Sequence, residues 1–361
     1  MTENHTKQKV IQVGTGGIGA YWCRAFLPDF VEEGRLEVVA AVDTNAEALE
    51  FAREGLGLED DRLYTDLSQA IADHEADFLT VVVPPAFHED IVDAALENGL
   101  DILSEKPIAD TLATSVRIVD KVQAAGTKMI VTMTHRFDQD KVTFRDEVLK
   151  EASGQLDYLV CRFTSGNRAL NSWGAFRHQM ADPMLIEGGI HQLDILADLA
   201  GAPCRTVNAL TWNPPWGEYA GDSEALVLME FENDVRAFYE GAKSTAIGLN
   251  SWGNDYLRAE CENETIVLDR REVVKYLPGS YDADGSGRPI PTPVPLKEGR
   301  YWAHQNLIEQ FLDWREGGPT PGTEVSRNLH STAIMFAAIQ SSRRRQTVEV
   351  AEVLEMARAD A

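Results

Sequence analysis

Short apolar runs alternate with amphipathic segments over the first third of the chain. Each run is closed by glycine, proline or a polar residue, and the runs predict buried strands at residues 10–13, 38–42, 78–83, 101–104 and 129–134. Helices are predicted between them at about 17–30, 46–54, 68–73, 87–98 and 114–125. Strand–helix units of this length pair in parallel with right-handed crossovers. The pattern therefore predicts an α/β domain with a doubly wound parallel sheet over residues 1–134.

The pattern changes after about residue 150, where β-rich segments dominate. Strands are predicted at 157–163, 225–231, 235–241, 256–262 and 264–268, with a hairpin turn at Asn233 and Asp234. The remaining predictions are helices at about 183–199, 302–314 and 327–341, a long surface loop at 277–295 and a final strand at 347–350. We therefore expect an α+β domain over residues 135–361 with a large open, mainly antiparallel sheet.

The chain is strongly acidic, with 33 Lys and Arg against 58 Asp and Glu and a formal net charge of −25 over 361 residues. It has no basic stripe that could follow a phosphate backbone, so no nucleic-acid partner is expected. No apolar run approaches the roughly 20 residues needed to span a bilayer, and no apolar leader precedes the first strand. These features favour a cytoplasmic protein without membrane association. Its four cysteines lack zinc-type spacing.

A Gly-x-Gly-x-x-Gly element, formed by Gly14, Gly16 and Gly19, lies between the first predicted strand and helix. Its glycines permit a tight turn, the approach of a pyrophosphate to the backbone, and close packing of helix on strand. The amides at the helix start, around Gly17 and Ile18, are then expected to bind phosphates.

The second strand ends at Asp43, followed by Thr44. A carboxylate there accepts hydrogen bonds from an adenosine ribose diol and repels a 2′-phosphate, which favours NAD over NADP. The alternative reading, an acidic cap on the next helix, is compatible with this role.

Polar residues follow two further strands, at the edge where open α/β sheets bind ligands. One group is Pro84-Pro85-Ala86-Phe87-His88, and the other is Glu105-Lys106-Pro107. A residue before proline is biased towards extended backbone, so Lys106 is expected at a strand tip beside the cofactor crevice.

A third group, Glu187, His191 and Asp194, has the spacing of one helical face. Three titratable side chains on such a face indicate a polar cleft. Gly188 and Gly189 weaken a helix by roughly 1 kcal/mol each, which suggests a close approach by another part of the molecule. A zinc site and a merely structural histidine are the competing readings.

Together, the glycine element, the Glu105-Lys106-Pro107 tripeptide and the Gly-Gly-x-His stretch ending at Asp194 resemble the Gfo/Idh/MocA oxidoreductases, over nearly the whole chain. The resemblance implies a Rossmann domain joined to an open sheet whose outer face forms homodimers or homotetramers. It implies that Lys106 and His191 are catalytic, and we expect Glu187, which stands where many members carry aspartate, to be catalytic with them. It also implies cofactor contacts from the strand ends, at Pro84, His88, Glu105, Lys106 and Arg136. The residues before His88 depart from the family pattern.

The expected substrate is a sugar or polyol. Trp173 and Arg177 lie in a stretch expected to line the cleft together with Lys106, Arg136, Glu187 and His191, because sugars pack an apolar face on aromatic rings and bond polar groups through their hydroxyls. We expect hydride transfer between a hydroxyl-bearing carbon and NAD, with Lys106 or His191 taking the hydroxyl proton and no metal. A redox-neutral lyase or glycosidase that uses NAD transiently, and a non-catalytic sensor of NAD or sugar, remain alternatives.

Overall fold

The computed structural model describes residues 6–283 and 285–361. The chain divides into two compact units. The first unit runs up to Met133 and also contains Tyr301–Leu329; the second comprises Thr134–Arg300 and His330–Asp360. Each unit is built on one β-sheet.

The sheet of the first unit has six parallel strands in the order β3-β2-β1-β4-β5-β6. The strands are Gln8–Val13 (β1), Leu36–Val42 (β2), Leu63–Tyr64 (β3), Phe78–Val81 (β4), Asp101–Ser104 (β5) and Met129–Val131 (β6). Its helices are Ile18–Tyr21 (α1), Pro28–Glu32 (α2), Glu50–Leu56 (α3), Leu67–Asp73 (α4), His88–Glu97 (α5) and Leu112–Ala125 (α6). The doubly wound parallel sheet is confirmed, with one extra short strand, β3.

The second unit contains a nine-stranded sheet in the order β14-β13-β12-β11-β7-β10-β9-β8-β15. All neighbours pair antiparallel except β7 and β10. The strands are Leu156–Thr164 (β7), Cys204–Trp212 (β8), Glu224–Phe231 (β9), Arg236–Ala242 (β10), Tyr256–Cys261 (β11), Thr265–Asp269 (β12), Glu272–Tyr276 (β13), Thr292–Val294 (β14) and Val348–Glu349 (β15). The mainly antiparallel sheet is confirmed, and so is the turn at Asn233 and Asp234, where Asp234 has φ 64°.

The later helices are Gln139–Val148 (α7), Ala175–Gln179 (α8), Ile190–Ala200 (α9), Ala303–Arg315 (α10), Val325–Arg344 (α11) and Val350–Asp360 (α12). Two local predictions need correction. The predicted loop 277–295 ends in β14, which pairs with β13, and the predicted strand 347–350 is only β15 before α12 begins.

The predicted second domain, 135–361, is corrected in one segment, because Tyr301–Leu329 belongs to the first unit. The α10 helix packs at the amino ends of the inner strands β1 and β4: the Phe311 ring lies 5.1 Å from the Phe78 ring, and Gln8 Nε2 donates to the Leu312 carbonyl at 3.2 Å. Arg315 on α10 also forms an ion pair with Asp101 on β5, in which Nε donates to the carboxylate at 2.7 Å. A helix far along the chain thus completes the core of the first unit.

Within the described residues, no helix is long and apolar enough to cross a membrane. Cys23, Cys161, Cys204 and Cys261 are free thiols, and all but Cys261 are buried.

Candidate active site

The glycine element forms a tight turn between β1 and α1. Gly14 has φ +87°, and a Cβ built on it would lie 2.0 Å from the Val82 carbonyl oxygen, so only glycine fits there. A Cβ on Gly19 would lie 2.4 Å from the Gly14 oxygen, which explains how closely α1 approaches the turn. Gly17 and Ile18 are exposed at the start of α1. The loop therefore offers accessible backbone at the carboxyl end of β1, as a pyrophosphate requires.

Two buried polar side chains stabilise the glycine turn through hydrogen bonds. Gln12 Nε2 donates to the Gly14 carbonyl at 2.7 Å, and Thr80 Oγ1 donates to Gln12 Oε1 at 2.7 Å. Gln12 and Thr80 are both fully buried on the neighbouring strands β1 and β4. Their bonds fix the conformation of the loop before any ligand arrives.

Asp43 closes the other side of the loop. Its Oδ2 accepts from the Thr15 and Gly16 amides at 2.8 and 3.1 Å, and its Oδ1 accepts from the Asn45 amide at 2.9 Å. The side chain stays half-buried, and Thr44 beside it is exposed. Because each carboxylate oxygen has two lone pairs, the group can accept from a ribose hydroxyl while keeping these bonds. The residues present thus fit an adenine dinucleotide.

Lys106 leaves the sheet at the carboxyl end of β5. The Glu105 amide still donates to the Val81 carbonyl at 2.8 Å, while the Thr132 amide donates to the Ser104 carbonyl at 2.8 Å. Lys106 therefore emerges between the ends of β4 and β6 and is itself half-buried. Only β4 lies between β1 and β5, and the three strands are parallel. Lys106 and the glycine turn therefore lie at the same end of the sheet, where the strands have their carboxyl ends.

Glu105 ties the lysine-bearing loop to the helix that follows the glycine turn. Its buried carboxylate accepts from Trp22 Nε1 at 3.0 Å and from His304 Nε2 at 3.2 Å through Oε1. The Lys106 amide donates to Oε2 at 3.3 Å. Burial alone would raise the pKa of Glu105, but the His304 hydrogen bond and charge, then the Lys106 charge and the Trp22 hydrogen bond, lower it to about 2. Glu105 is therefore an ionised anchor beside Lys106.

His304 itself stacks on Phe26, with ring centroids 4.1 Å apart, and meets Trp22 edge-on at 5.8 Å. It stands at the start of α10, almost 200 residues after Glu105. Nothing in the local sequence signals that it reaches Glu105, and the sequence predictions missed both His304 and Trp22.

The predicted cofactor contact from His88 is corrected. The ring is fully buried, with Nε2 2.9 Å from the Val83 carbonyl and Nδ1 3.1 Å from the Ile108 carbonyl. Burial lowers the pKa of His88, so the neutral ring donates to one of these two carbonyls. His88 thus joins the loops after β4 and β5 rather than offering a group to a ligand. Pro84, in contrast, is exposed at the end of β4.

In the second unit, a π-helical turn at Met184–Gly189 leads into α9. A Cβ on Gly188 would lie 2.8 Å from Met184 Cε, and one on Gly189 would lie 3.1 Å from the Tyr239 ring. The close approach inferred from these glycines is therefore present. Glu187, between them and Met184, is buried and accepts from Arg177 Nε at 2.9 Å.

His191 follows on α9 and is buried against two other rings. It stacks on His135 with centroids 4.2 Å apart and planes 15° apart. Trp252 meets His135 edge-on at 4.9 Å and His191 at 6.0 Å. No catalytic role was predicted from the sequence for His135 or Trp252.

Asp194 and Arg136 form scaffold contacts. Asp194 Oδ1 accepts from Ser331 Oγ at 2.7 Å, and Arg136 Nε lies 3.2 Å from Asp194 Oδ2. Arg136 Nη1 also donates to Asp198 at 2.8 Å, and the side chain is buried. The Arg136 guanidinium thus joins the Thr134–Phe137 turn to α9, which carries His191, and its predicted cofactor and substrate contacts stay predictions.

Lys243 lies among aromatic rings just beyond β10. Its ammonium is 3.8 Å from the Trp173 ring centroid, 4.3 Å from Phe163 and 4.5 Å from Trp252. Arg177 approaches the same Trp173 ring at 5.3 Å. Trp173, Arg177, Glu187 and His191 thus belong to one cluster of the second unit, and their role in binding a substrate stays a prediction. Lys243 was missed because it lies far along the sequence.

Across residues 6–283 and 285–361, no group of three or more His, Cys, Asp or Glu side chains is arranged to hold a metal ion. The competing zinc reading of Glu187, His191 and Asp194 therefore has no support from their geometry. Each of them is engaged with Arg177, His135 or Arg136 as described above.

A parallel sheet with a Gly-x-Gly-x-x-Gly turn, an acidic residue closing β2 and a lysine at the end of β5 define a nicotinamide-dependent oxidoreductase. A model described as "Oxidoreductase family, NAD-binding Rossmann fold" matches residues 8–133. A second, described as "Oxidoreductase family, C-terminal alpha/beta domain", matches residues 154–257. The chain belongs to the Gfo/Idh/MocA oxidoreductase family, which confirms the resemblance and the NAD-binding Rossmann domain.

Individual relatives agree with this placement. An uncharacterised protein of Sinorhizobium fredii is 48% identical over 98% of both chains. D-apiose dehydrogenase of Paraburkholderia graminis is 24% identical, covering 87% of this chain and 83% of its own. An oxidoreductase structure from Agrobacterium radiobacter, solved with NAD⁺, L-tartaric acid and magnesium, has a TM-score of 0.84 at 18% identity and covers 96% of this chain and 99% of its own. At that identity the structural likeness shows the shared fold.

Proposed function

We propose that the protein is an NAD-dependent dehydrogenase that oxidises a hydroxyl-bearing carbon of a sugar or polyol. The observation that carries this proposal is the placement of Lys106 at the sheet edge that also bears the glycine turn, with its neighbour Glu105 bonded to Trp22, three residues beyond that turn. Lys106 and the glycine turn thus share one end of the sheet, and its amine is the proton acceptor in this proposal. The D-apiose dehydrogenase name of a relative supports a polyhydroxylated substrate.

The chain's own residues have distinct roles in this proposal. The turn around Gly14 and Gly16 and the Asp43 carboxylate hold the dinucleotide, and bound NAD⁺ supplies the hydride acceptor. Lys106 Nζ takes the proton from the substrate hydroxyl, with His191 as the second acid–base group. Glu187 and Arg177 bind neighbouring hydroxyls.

The aromatic rings of the second unit support a sugar as the ligand. Trp252 is 37% exposed, and Phe176 is 52% exposed next to Arg177. Such rings offer flat apolar surface to a sugar face, while the charged groups between them offer hydrogen bonds to its hydroxyls.

The proposal is tested by the absorbance of reduced nicotinamide. Purified protein is incubated with NAD⁺ or NADP⁺ and a panel of inositols, aldoses, pentoses, sugar acids and glycosides. We expect NADH to accumulate with at least one of them, and NAD⁺ to be preferred because Asp43 repels a 2′-phosphate. Conversion of a substrate without net NADH would instead indicate a redox-neutral enzyme. NAD binding with no conversion of any panel member would indicate a sensor.

We also propose a homo-oligomer formed through the outer face of the nine-stranded sheet. Leu210 on β8 and Leu228 on the adjacent β9 are 57% and 55% exposed, and Trp212 is 41% exposed. Apolar side chains on neighbouring strands form a continuous surface patch of the kind that marks an interface. Light scattering should therefore give a mass of two or four times 40.0 kDa. A mass of one chain at micromolar concentration would contradict the proposal.

A further inference from the structure

The Glu105 carboxylate lies where three separate parts of the first unit meet. Its Oε1 atom accepts from Trp22 Nε1 at 3.0 Å and from His304 Nε2 at 3.2 Å, and its Oε2 atom accepts from the Lys106 amide at 3.3 Å. The two oxygens therefore bond to different partners, with two aromatic donors on one side and the backbone of Lys106 on the other. One carboxylate thus connects His304 to the residue proposed as the proton acceptor.

Three packed rings direct the two aromatic donors towards this carboxylate. The His304 ring lies parallel to the Phe26 ring, with centroids 4.1 Å apart and planes 9° apart, and it meets Trp22 edge-on at 5.8 Å. Trp22 and Phe26 also meet edge-on at 5.9 Å. These two rings belong to the π-helical turn Trp22–Phe26, whereas His304 lies in the first turn of α10. Because each ring restricts the others, the N–H groups of Trp22 and His304 keep a fixed direction.

Burial makes these hydrogen bonds important for the carboxylate. Trp22 is fully buried, while the side chains of Glu105 and His304 are 9% and 18% exposed. A charged group in such a place has little water that could replace a lost donor. Burial raises the pKa of Glu105, but the hydrogen bond from His304, the largest opposing contribution, helps to lower it to about 2. If Oε1 loses a donor, we expect the carboxylate to turn towards another partner and to release the Lys106 amide.

The backbone of Lys106 depends on this carboxylate more than on the sheet. The Glu105 amide still donates to the Val81 carbonyl at 2.8 Å, so the strands fix the position of Glu105. The next amide, that of Lys106, donates to the Glu105 side chain instead. The orientation of the carboxylate therefore sets where the lysine side chain begins. This matters for rate, because a displacement of about 1 Å in a reacting group can cost about 10²-fold.

We propose that His304, together with Trp22, is a positioning residue for Lys106. Its Nε2–H group fixes the orientation of the Glu105 carboxylate, and the carboxylate fixes the Lys106 amide in the geometry needed for proton transfer. His304 follows Glu105 by 199 residues, so a distant segment contributes to the site as well as to the core of the first unit. The part of Lys106 in catalysis rests on the proposed function, whereas the link from His304 to the Lys106 amide does not.

The link is tested by hydrogen exchange of individual backbone amides, followed by NMR in the substrate-free protein. His304→Phe keeps a flat ring beside Phe26 but removes the donor, and His304→Gln keeps an N–H donor at the end of its side chain. We expect the Lys106 amide to exchange faster by about tenfold or more in His304→Phe, and at close to the wild-type rate in His304→Gln. The Glu105 amide should keep its rate in both, because it is bonded to Val81.

The kinetic readout separates positioning from binding. We expect His304→Phe to lower kcat by about 10- to 100-fold, with the KM of the sugar and the dissociation constant of NADH within a few-fold of the wild type. His304→Gln should recover most of the lost kcat. His74→Phe is the matched control: the His74 ring bonds to the Tyr64 hydroxyl at 2.9 Å and meets the Tyr64 ring edge-on, but it precedes β4, at the amino ends of the strands. It should keep wild-type kcat.

An unchanged Lys106 amide in His304→Phe would overturn the inference. Equal acceleration of the Glu105 and Lys106 amides would also overturn it, because it indicates a structural role only, and so would a faster Lys106 amide with unchanged kcat in an active enzyme. If His304→Phe does not fold, Trp22→Phe removes the other donor to Oε1 and is measured in the same way, with the same expectations. A wild type inactive on every sugar, with the expected amide exchange, would retain the link and contradict the proposed function alone.

Discussion

Lys106→Ala is expected to abolish turnover while leaving NAD binding nearly intact. In the proposed mechanism Lys106 supplies the amine that takes the substrate proton, and a positioned acid–base group contributes about 10²- to 10⁴-fold to rate. The side chain is half-buried at a strand end and Glu105, which anchors the loop, is untouched. We therefore expect kcat to fall by about 10³-fold, with a dissociation constant for NADH within a few-fold of the wild type.

The measurement combines NADH formation with NADH binding followed by fluorescence. Lys106→Arg is the informative companion, because it keeps the positive charge but cannot release its proton near neutral pH. It should be nearly as slow as Lys106→Ala. Lys9→Ala is the matched control, since Lys9 is an exposed lysine paired with Glu75 at 3.3 Å. Wild-type turnover by Lys106→Ala would remove Lys106 from the chemistry.

The first sheet was predictable because its strands are buried on both faces. Val10, Ile11, Phe78 and Leu79 are fully buried, so their strands appear in the sequence as uninterrupted apolar runs between turn residues. The error was at the ends: the predicted strand 78–83 stops at Val81, because Val82 and the residues after it already belong to the turn that receives Gly14.

The second unit was harder to predict because some of its charged residues are buried and some of its apolar residues are exposed. The α7 helix buries Asp140, Lys141 and Glu147, whose charges are paired inside the protein, so no apolar stripe marks it. In β8 the reverse occurs, since Leu210 and Trp212 are exposed. The ion pairs of Lys141 with Asp255 and of Glu147 with Lys275 join residues far apart in sequence, so the α7 segment alone does not reveal them.

The residues of the candidate site likewise fall into those that the sequence could predict and those that it could not. The glycine turn, Lys106, Glu187 and His191 could be proposed from the sequence because each lies in a local motif with a physical rationale. His304, Lys243 and Asp255 were not found, because each gains its meaning from a contact with a distant segment. His88 was assigned to a ligand from sequence alone, whereas the fold uses its fully buried ring to join two loops.

Alanine variants of Gly14, Gly16 and Gly17 should separate the effects of the turn on folding from its effects on cofactor binding. In Gly14→Ala the new methyl group would lie 2.0 Å from the Val82 carbonyl at φ +87°, so backbone must move. We expect this variant to lose roughly 3 kcal/mol or more of stability, since both a clash and a strained conformation act. Gly17→Ala is the control for strain alone: it has φ +58° but nothing within 4 Å, and should cost only about 1 kcal/mol.

Gly16→Ala should behave differently, because its methyl group would meet the Ala48 Cβ at 3.5 Å and Asp43 Oδ2 at 3.8 Å, which are ordinary contacts. We expect a wild-type melting temperature but NADH binding weaker by about tenfold or more, since the methyl group occupies the space where a pyrophosphate approaches the backbone. Thermal unfolding and NADH titration of the three variants measure both effects. Wild-type affinity in Gly16→Ala would mean that the pyrophosphate does not pass over this residue, while a wild-type melting temperature in Gly14→Ala would contradict the close contact with Val82.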